Sequence, residues 1–384
     1  MLKEHLPWII VAVVVLVVIV VGVLLSRSSG DAYHGLLRRG KARPPREHFR
    51  SDDDPSPVAL KHAAVIINPT KFADLVAIRA RITAGCHAAG WGDPVFYETT
   101  VADPGRGQAR QAVHDGVDLV CSLGGDGTVR SVASGLIGTD TPLGILPAGT
   151  GNLLARNLDL PFDNIDTAVT VAITGRNRRI DVGELVIGDP EHDLDGDTRD
   201  ATEPGDPADP EHPGTTTYHF LVMGGLGMDA AIMAGTNENL KNKVGWPAYM
   251  LSGVKHLVSP EFRTRVQIDN GDPFRRRARM VVIGNCGRLL GGLVLMPNAR
   301  VDDGQLDVVI ASPRGVVGWV PVATRIATRQ RKGHPTLDHR TCQEISVRTD
   351  RPVPVQIDGD VVGEASSVRA TVRPGVLTVR VSHV

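Results

Sequence analysis

Short apolar runs, each closed by Gly, Pro, Asn or Asp, alternate with amphipathic stretches from Ala63 onward. Ala63-Ala64-Val65-Ile66-Ile67 predicts a buried strand, and the stretch from Ala73 to Ala89, closed by Gly90, predicts a helix. Pro94 to Thr99, Leu119 to Leu123 and Leu143 to Leu146 predict further strands, with helices from about Gln108 to Gly116 and Val129 to Leu136 between them. This alternation implies a parallel α/β sheet covered on both faces. In such sheets ligands bind beyond the carboxyl ends of the strands, where Asn68, Thr100, Asp126 and Thr150 fall.

After Arg176-Asn177-Arg178-Arg179 the period changes to strand-like alternation. Strands are expected at Ile180 to Val186, Tyr218 to Met223, Thr264 to Ile268, Arg277 to Asn285, Leu306 to Ala311, Glu344 to Thr349, Val353 to Ile357 and Val368 to Val381. Pro374-Gly375 should split the last of these, and Lys241 to Leu257 is the one clear helical interlude. The expected organisation is an α/β domain over 61–181, a β-rich antiparallel domain over 182–364, and a C-terminal strand region, 365–384, returning to the first domain. The Pro-, Asp- and Glu-rich segment 188–216 has too little apolar surface to order itself and reads as a disordered insertion.

At the other end, Leu6 to Leu25 is apolar except for Pro7 and Gly22, about the ~20 residues that a bilayer-spanning helix requires. Arg27, Arg38, Arg39, Lys41, Arg43, Arg46 and Arg50 follow it, which by the positive-inside rule puts the rest of the chain on the cytoplasmic side. The expectation is a single-pass membrane protein with a transmembrane anchor at 1–26 and a disordered basic and acidic tether at 27–60. A formal net charge of −1 offers no electrostatic argument for nucleic acid, so none is expected as a partner. Oligomeric state is unreadable, with a homodimer left open. Cys86, Cys121, Cys286 and Cys342 form no CxxC pair and fit buried reduced thiols.

Two glycine turns carry the chemistry. Gly124-Gly125-Asp126-Gly127-Thr128 closes one predicted strand and Pro147-Ala148-Gly149-Thr150-Gly151-Asn152 the next. Side-chain-poor residues at strand ends let backbone N–H groups approach an anion. An Asp inside such a cradle repels phosphate unless it meets a metal ion or a proton in transit. Three readings of Asp126 follow: a turn-stabilising residue, a group orienting Mg²⁺ through water, or the base for an acceptor hydroxyl. The second is favoured.

Together with Asn68-Pro69-Thr70 and Asp358-Gly359-Asp360, these turns resemble the diacylglycerol kinase catalytic family of lipid kinases, which includes sphingosine kinases and bacterial diacylglycerol kinases. The Gly-Gly-Asp-Gly turn is shared with NAD kinases and 6-phosphofructokinases. The resemblance implies a NAD kinase/diacylglycerol kinase-like fold with the active site in the cleft between its domains. It implies ATP bound by Asn68, Pro69, Thr70, Thr100, Gly124, Gly125, Asp126, Gly127, Thr128, Gly149, Thr150 and Asn152, with a membrane lipid as acceptor. In bacterial relatives a Glu after the second Asp-Gly is the proposed proton acceptor; here that position is Asp360, one methylene shorter. Asp181 aligns with an Asp of the metal-water network, so that Asp126, Asp181 and Asp360 form the implied catalytic set. Arg300 and Gln305 (through their carbonyls) and Asp303 correspond to a separate structural Mg²⁺ loop. One departure is Leu153, where relatives often carry an Asp of the metal network; Leu153 and Leu154 read as core residues or as a wall for an acyl chain. Gly224-Gly225-Leu226-Gly227-Met228-Asp229 lacks a βαβ context and reads as a close-approach wall of the cleft. A NAD kinase-like activity is disfavoured because the only Asn-Glu pair, Asn237-Glu238, sits in a polar stretch without strand character. A catalytically silent lipid- or nucleotide-binding protein stays open through Leu153 and Asp360.

Overall fold

The computed structural model describes residues 60–188, 215–227, 260–289, 294–313 and 337–383. Strands β1 (Ala63–Ile67), β2 (Val95–Glu98), β3 (Leu119–Gly124) and β4 (Leu143–Pro147) pair in parallel in the order β2-β1-β3-β4. Helices α1 (Leu75–Ala88), α2 (Arg106–His114), α3 (Asp126–Leu136), α4 (Leu153–Asn157) and α5 (Ile165–Thr174) accompany them. Alternate strand residues face opposite cores. Val65, Ile67, Cys121 and Leu123 pack on Ile78 and Ile82 of α1 and on Val169 and Ile173 of α5. Ala64, Ile66, Val120 and Ile145 pack on Ala109 of α2 and on Val132 and Leu136 of α3. That second core runs on through Leu153 and Leu158 to Met223, Val282 and Met296 of the β-rich half, so the two halves share apolar packing.

The β-rich half contains β5 (Arg176–Ile187), β6 (Thr216–Phe220), β7 (Met223–Leu226), β8 (Phe262–Ile268), β9 (Phe274–Ala278), β10 (Met280–Gly284), β11 (Leu306–Ala311), β12 (Leu337–Cys342), β13 (Glu344–Ile357) and β14 (Asp360–Val381). Its pairings are antiparallel, and β14 joins the halves, because Val379 pairs in parallel with Leu143 of β4. The result is one mixed sheet.

Several boundaries differ from the sequence expectation, each for a local reason. Pro374-Gly375 does not split β14. It makes a bulge between Arg373 and Leu377 in the ladder with β5, with Gly375 at φ 59° and its amide donating to Asp181 Oδ1 at 2.8 Å. Arg277 to Asn285 is two strands, broken at Arg279, because β9 pairs β8 whereas β10 pairs β7 and β11. Tyr218 to Met223 breaks at Leu221-Val222, where backbone N–H groups turn toward Asp358. Gly224 and Gly225 are not a turn: they lie within β7, between β10 and β13, where the expected close approach is met, since a side chain at Gly225 would collide with the Val281 carbonyl. Met228, Asp229, Asn237, Glu238 and the expected helix at 241–257 lie outside the described residues.

The single-pass localisation is corrected. Among the described residues no helix is long and apolar enough to cross a membrane. The 14 residues of α1 span only about 21 Å, against roughly 30 Å of hydrocarbon. The run at 6–25, the tether up to residue 59 and most of the 188–216 insertion lie outside the described residues. The four cysteines are buried and free.

Candidate active site

The carboxyl ends of β1, β3 and β4 meet through the backbone. Asn68 N donates to Leu123 O at 3.0 Å and Ala148 N to Gly124 O at 2.8 Å. Helix α3 begins inside the first glycine turn, with Gly125 as its N-cap and Asp126 as its first residue. The amides of Asp126, Gly127 and Thr128 are therefore first-turn donors with no partner inside the helix, at the positive end of its dipole.

The second turn packs directly on the first. A Cβ at Gly149 would stand 2.7 Å from Gly125 Cα, and one at Gly151 would collide with Asp126 Oδ2. Asn152, left-handed at φ 48°, closes the turn by accepting from Gly149 N at 3.1 Å and donating to Gly149 O at 2.8 Å. Leu153 N then donates to Asp126 Oδ1 at 2.6 Å. Leu153 thus meets Asp126 only through its backbone amide, while the Leu153 and Leu154 side chains are buried in the core. Burial pushes the Asp126 carboxyl up to about 6; Asp358 and Asp360 add to the rise, and the Leu153 and Asn152 amides oppose it.

Those two acids arrive on the β13–β14 hairpin. Asp358 is buried at φ 50°, and its carboxylate accepts from the amides of Leu221 at 3.0 Å, Val222 at 2.8 Å and Met223 at 2.9 Å. Its own N–H donates to Met223 O at 2.7 Å. Burial raises its pKa against the pull of Arg130 and the three amides. The hairpin is thus tied to the kink between β6 and β7. Arg130, almost fully buried on α3, donates to Ile357 O at 2.7 Å and pairs with Asp360 Oδ2 at 3.1 Å. Asp360 remains half exposed, with Oδ2 only 3.5 Å from where a Cβ on Gly127 would sit. The structure therefore gathers both glycine turns, Asp126, Asp358 and Asp360 at the start of α3.

Asn68 Oδ1 accepts from Thr70 N at 3.1 Å and from the Thr70 hydroxyl at 2.7 Å, capping a short 3-10 turn over Pro69–Lys71. The Thr100 hydroxyl accepts from Asp103 N at 3.0 Å, and Asp103 in turn accepts from the amides of Gly105 and Gly107 at the start of α2. Thr150 is exposed beside Gly149. Asp181 joins the other predicted metal loop. Its Oδ2 accepts from Gly304 N at 2.7 Å, its Oδ1 takes the Gly375 amide, and its N–H donates to Val301 O at 2.7 Å. In that loop Asp303 Oδ1 accepts from Gln305 N at 3.1 Å, and burial raises its pKa, helped by Asp307 and Asp181. Arg300 lies 3.7 Å from Asp302, which also holds Arg178 at 2.7 Å. Among the described residues no three His, Cys, Asp or Glu side chains group in a way that would hold a metal ion.

Arg130 and Asp358 were not among the expected site residues. Arg130 is one helical turn beyond Asp126 and so on its face of α3, which is the signal that sequence offered.

Residues 62–185 match the diacylglycerol kinase catalytic domain, and residues 223–381 match the YegS C-terminal NAD kinase beta sandwich-like domain. Residues 62–185 belong to the diacylglycerol kinase catalytic-domain family. Similar proteins include the diacylglycerol kinase of Bacillus subtilis (strain 168), 24% identical over 79% of this chain and 91% of that protein. The diacylglycerol kinase of Staphylococcus carnosus (strain TM300) is 23% identical over 79% of this chain and 90% of its own length. A solved diacylglycerol kinase structure from Bacillus anthracis str. Sterne shares the fold, with a TM-score of 0.58 at 22% identity over 84% of this chain and 97% of that chain. The protein is a kinase, a phosphotransferase with an alcohol acceptor, and its family membership implies ATP as donor.

Proposed function

We propose that this kinase transfers the γ-phosphoryl group of ATP to a hydroxyl of diacylglycerol or a closely related lipid. The observation that carries the site assignment is the approach of Asp360 to the start of α3, with Arg130 bonded both to its carboxylate and to the hairpin backbone at Ile357. Phosphate oxygens need N–H donors held on rigid elements, which the first turn of α3 and the apposed Gly149 turn supply. Asp360 is the residue to accept the hydroxyl proton. Its half-exposed carboxylate faces solvent and is held at 3.1 Å by Arg130.

Asp126 suits Mg²⁺. Its carboxyl is made costly to ionise by burial and by two neighbouring acids, a cost that a divalent cation would relieve. With so few carboxylates available, the ion would be shared with the phosphates and water, as Mg²⁺ commonly is. When bound, it would neutralise charge on the transferring group. Asp303, with the carbonyls of Arg300 and Gln305, is the proposed second Mg²⁺ position, and Asp181 orders that loop through Gly304.

Incubation of the purified protein with labelled ATP, Mg²⁺, a panel of lipids and NAD tests the acceptor. Transfer to diacylglycerol is expected; transfer to NAD alone would sink the proposal. Arg130→Met should lower kcat by roughly 10–100-fold, by freeing the proton acceptor from its position, with the circular dichroism spectrum retained. Arg130→Lys should recover part of the loss, since it restores the charge without the forked geometry. Equal kcat for Arg130→Met and wild type would remove Asp360 from the mechanism as drawn.

A further inference from the structure

A second concentration of charge lies away from the phosphate turns, on the outer face of the sheet formed by β9, β8 and β13. Arg263 stands opposite Arg277, and Arg265 stands between Arg275 on one side and Arg348 on the other. Directly opposed residues of antiparallel strands project from the same face, so these five arginines share it. They spread roughly 10 Å across three strands and about 7 Å along them. All five are exposed, while the alternate positions Phe262, Thr264 and Val266 are buried beneath. An open groove of about 520 Å³ runs among them.

Like charges directly opposed across a ladder destabilise it, and here the opposition is repeated. Acidic compensation of Arg263, Arg265, Arg275 and Arg277 is thin. Asp350 lies in the groove, but its Oδ1 accepts from the Arg263 backbone amide at 3.1 Å. Arg277 approaches Glu261 at 3.9 Å, an exposed and therefore weak pairing. Among the described residues no carboxylate stands within ion-pair range of the Arg263, Arg265 or Arg275 side chains. The guanidinium groups present forked donors suited to phosphate oxygens on a surface that faces outward.

We infer that this arginine face docks the kinase onto an anionic lipid surface, with phosphodiester or phosphomonoester headgroups as its ligands. The choice of occupant rests on the lipid-acceptor reading above, since a bilayer carrying the acceptor also presents phosphates in a plane. Nucleic acid fits less well: Phe262 and Phe274 sit at the alternate positions and project from the opposite face, so no aromatic side chain of these three strands shares the arginine face to stack on bases, and the chain as a whole carries a formal charge of −1. A flat array gains from each headgroup near the surface, within the short reach of screened charge.

Co-sedimentation of the full-length protein with vesicles tests this. Binding to phosphatidylglycerol/phosphatidylcholine vesicles, weakened by salt and absent with phosphatidylcholine alone, is the expected result. Arg265→Gln/Arg275→Gln should weaken binding about thirtyfold, the loss of two surface arginines. Arg277→Gln/Arg348→Gln is a second variant that keeps the test open should the first fail to fold. Both should phosphorylate short-chain diacylglycerol in neutral detergent micelles at the wild-type rate. Equal binding to neutral vesicles, unchanged binding by both variants, or binding of inorganic polyphosphate without vesicle binding would each overturn the inference. Arginine-dependent vesicle binding without transfer to the micellar lipid would instead overturn the acceptor reading and leave the docking face standing.

Discussion

Asp126→Asn should lower kcat/KM by roughly 10³-fold or more and at the same time make the folded protein more stable at pH 8. The loss follows from removing the one carboxylate embedded in the phosphate turns, beside the first-turn amides of α3. The gain follows from its titration. In the unfolded chain an Asp titrates near 3.9, whereas burial and the neighbouring acids raise this one to about 6. The folded state therefore holds the extra proton between those values, and stability falls as pH rises through that window. Above it the ionised group costs about 2–3 kcal/mol, which Asn relieves while its side-chain oxygen still accepts from Leu153 N. For a chain of this size that corresponds to a rise in Tm of about 3–4 °C. The gain should disappear at pH 4, where the wild-type carboxyl is already protonated. Calorimetry of both proteins at pH 4 and pH 8, with kinetics at saturating ATP, measures both effects. Turnover near wild type would show that Asp126 faces no metal ion, and an unchanged Tm at pH 8 would show that its ionisation is not strained.

Asp358→Ala should have the larger effect on folding. It removes the acceptor for three buried amides at once, at Leu221, Val222 and Met223, and strips Arg130 of an opposing charge. Each orphaned buried donor costs about 1–3 kcal/mol, so a loss of roughly 4 kcal/mol or more is expected in urea unfolding. Asp360→Asn provides the contrast. Its carboxylate is half exposed, so that variant should fold normally and fail only in transfer. An Asp358→Ala protein within about 1 kcal/mol of wild type would mean that the kink between β6 and β7 finds other acceptors. The two variants thus separate the residue that builds the hairpin from the one proposed to accept the proton.

That division was only half visible in the chain. Asp358-Gly359-Asp360 is legible as a turn with a chemical residue in it, because Asp-Gly is a strong hairpin signal and the sequence resemblance implies an acid at Asp360. Nothing local says that Asp358 reaches back to residues 221–223, which are 135 or more positions away. Arg130 is similar: its helical phase with Asp126 can be read, but its partners Ile357 and Asp360 are supplied by a hairpin folded against α3. The Pro374-Gly375 pair shows the opposite failure. Its local chemistry reads as a break, yet the long ladder with β5 absorbs it as a bulge held by Asp181. The apolar run at 6–25 reads as an anchor from its hydropathy and the basic residues after it; it lies outside the described residues, among which no helix is long and apolar enough to cross a membrane.

By itself the sequence determined the parallel βα units, the two glycine turns at strand ends, and the family to which their order points. Those features depend on periods and turn residues within a few positions, where backbone sterics and side-chain size act directly. Tertiary structure alone decided that the two turns pack backbone to backbone, that burial, with Asp358 and Asp360 adding to it, strains Asp126, and that five arginines share one face of the sheet. Burial and charge coupling depend on distance in space, and strand register, not proximity along the chain, sets those distances.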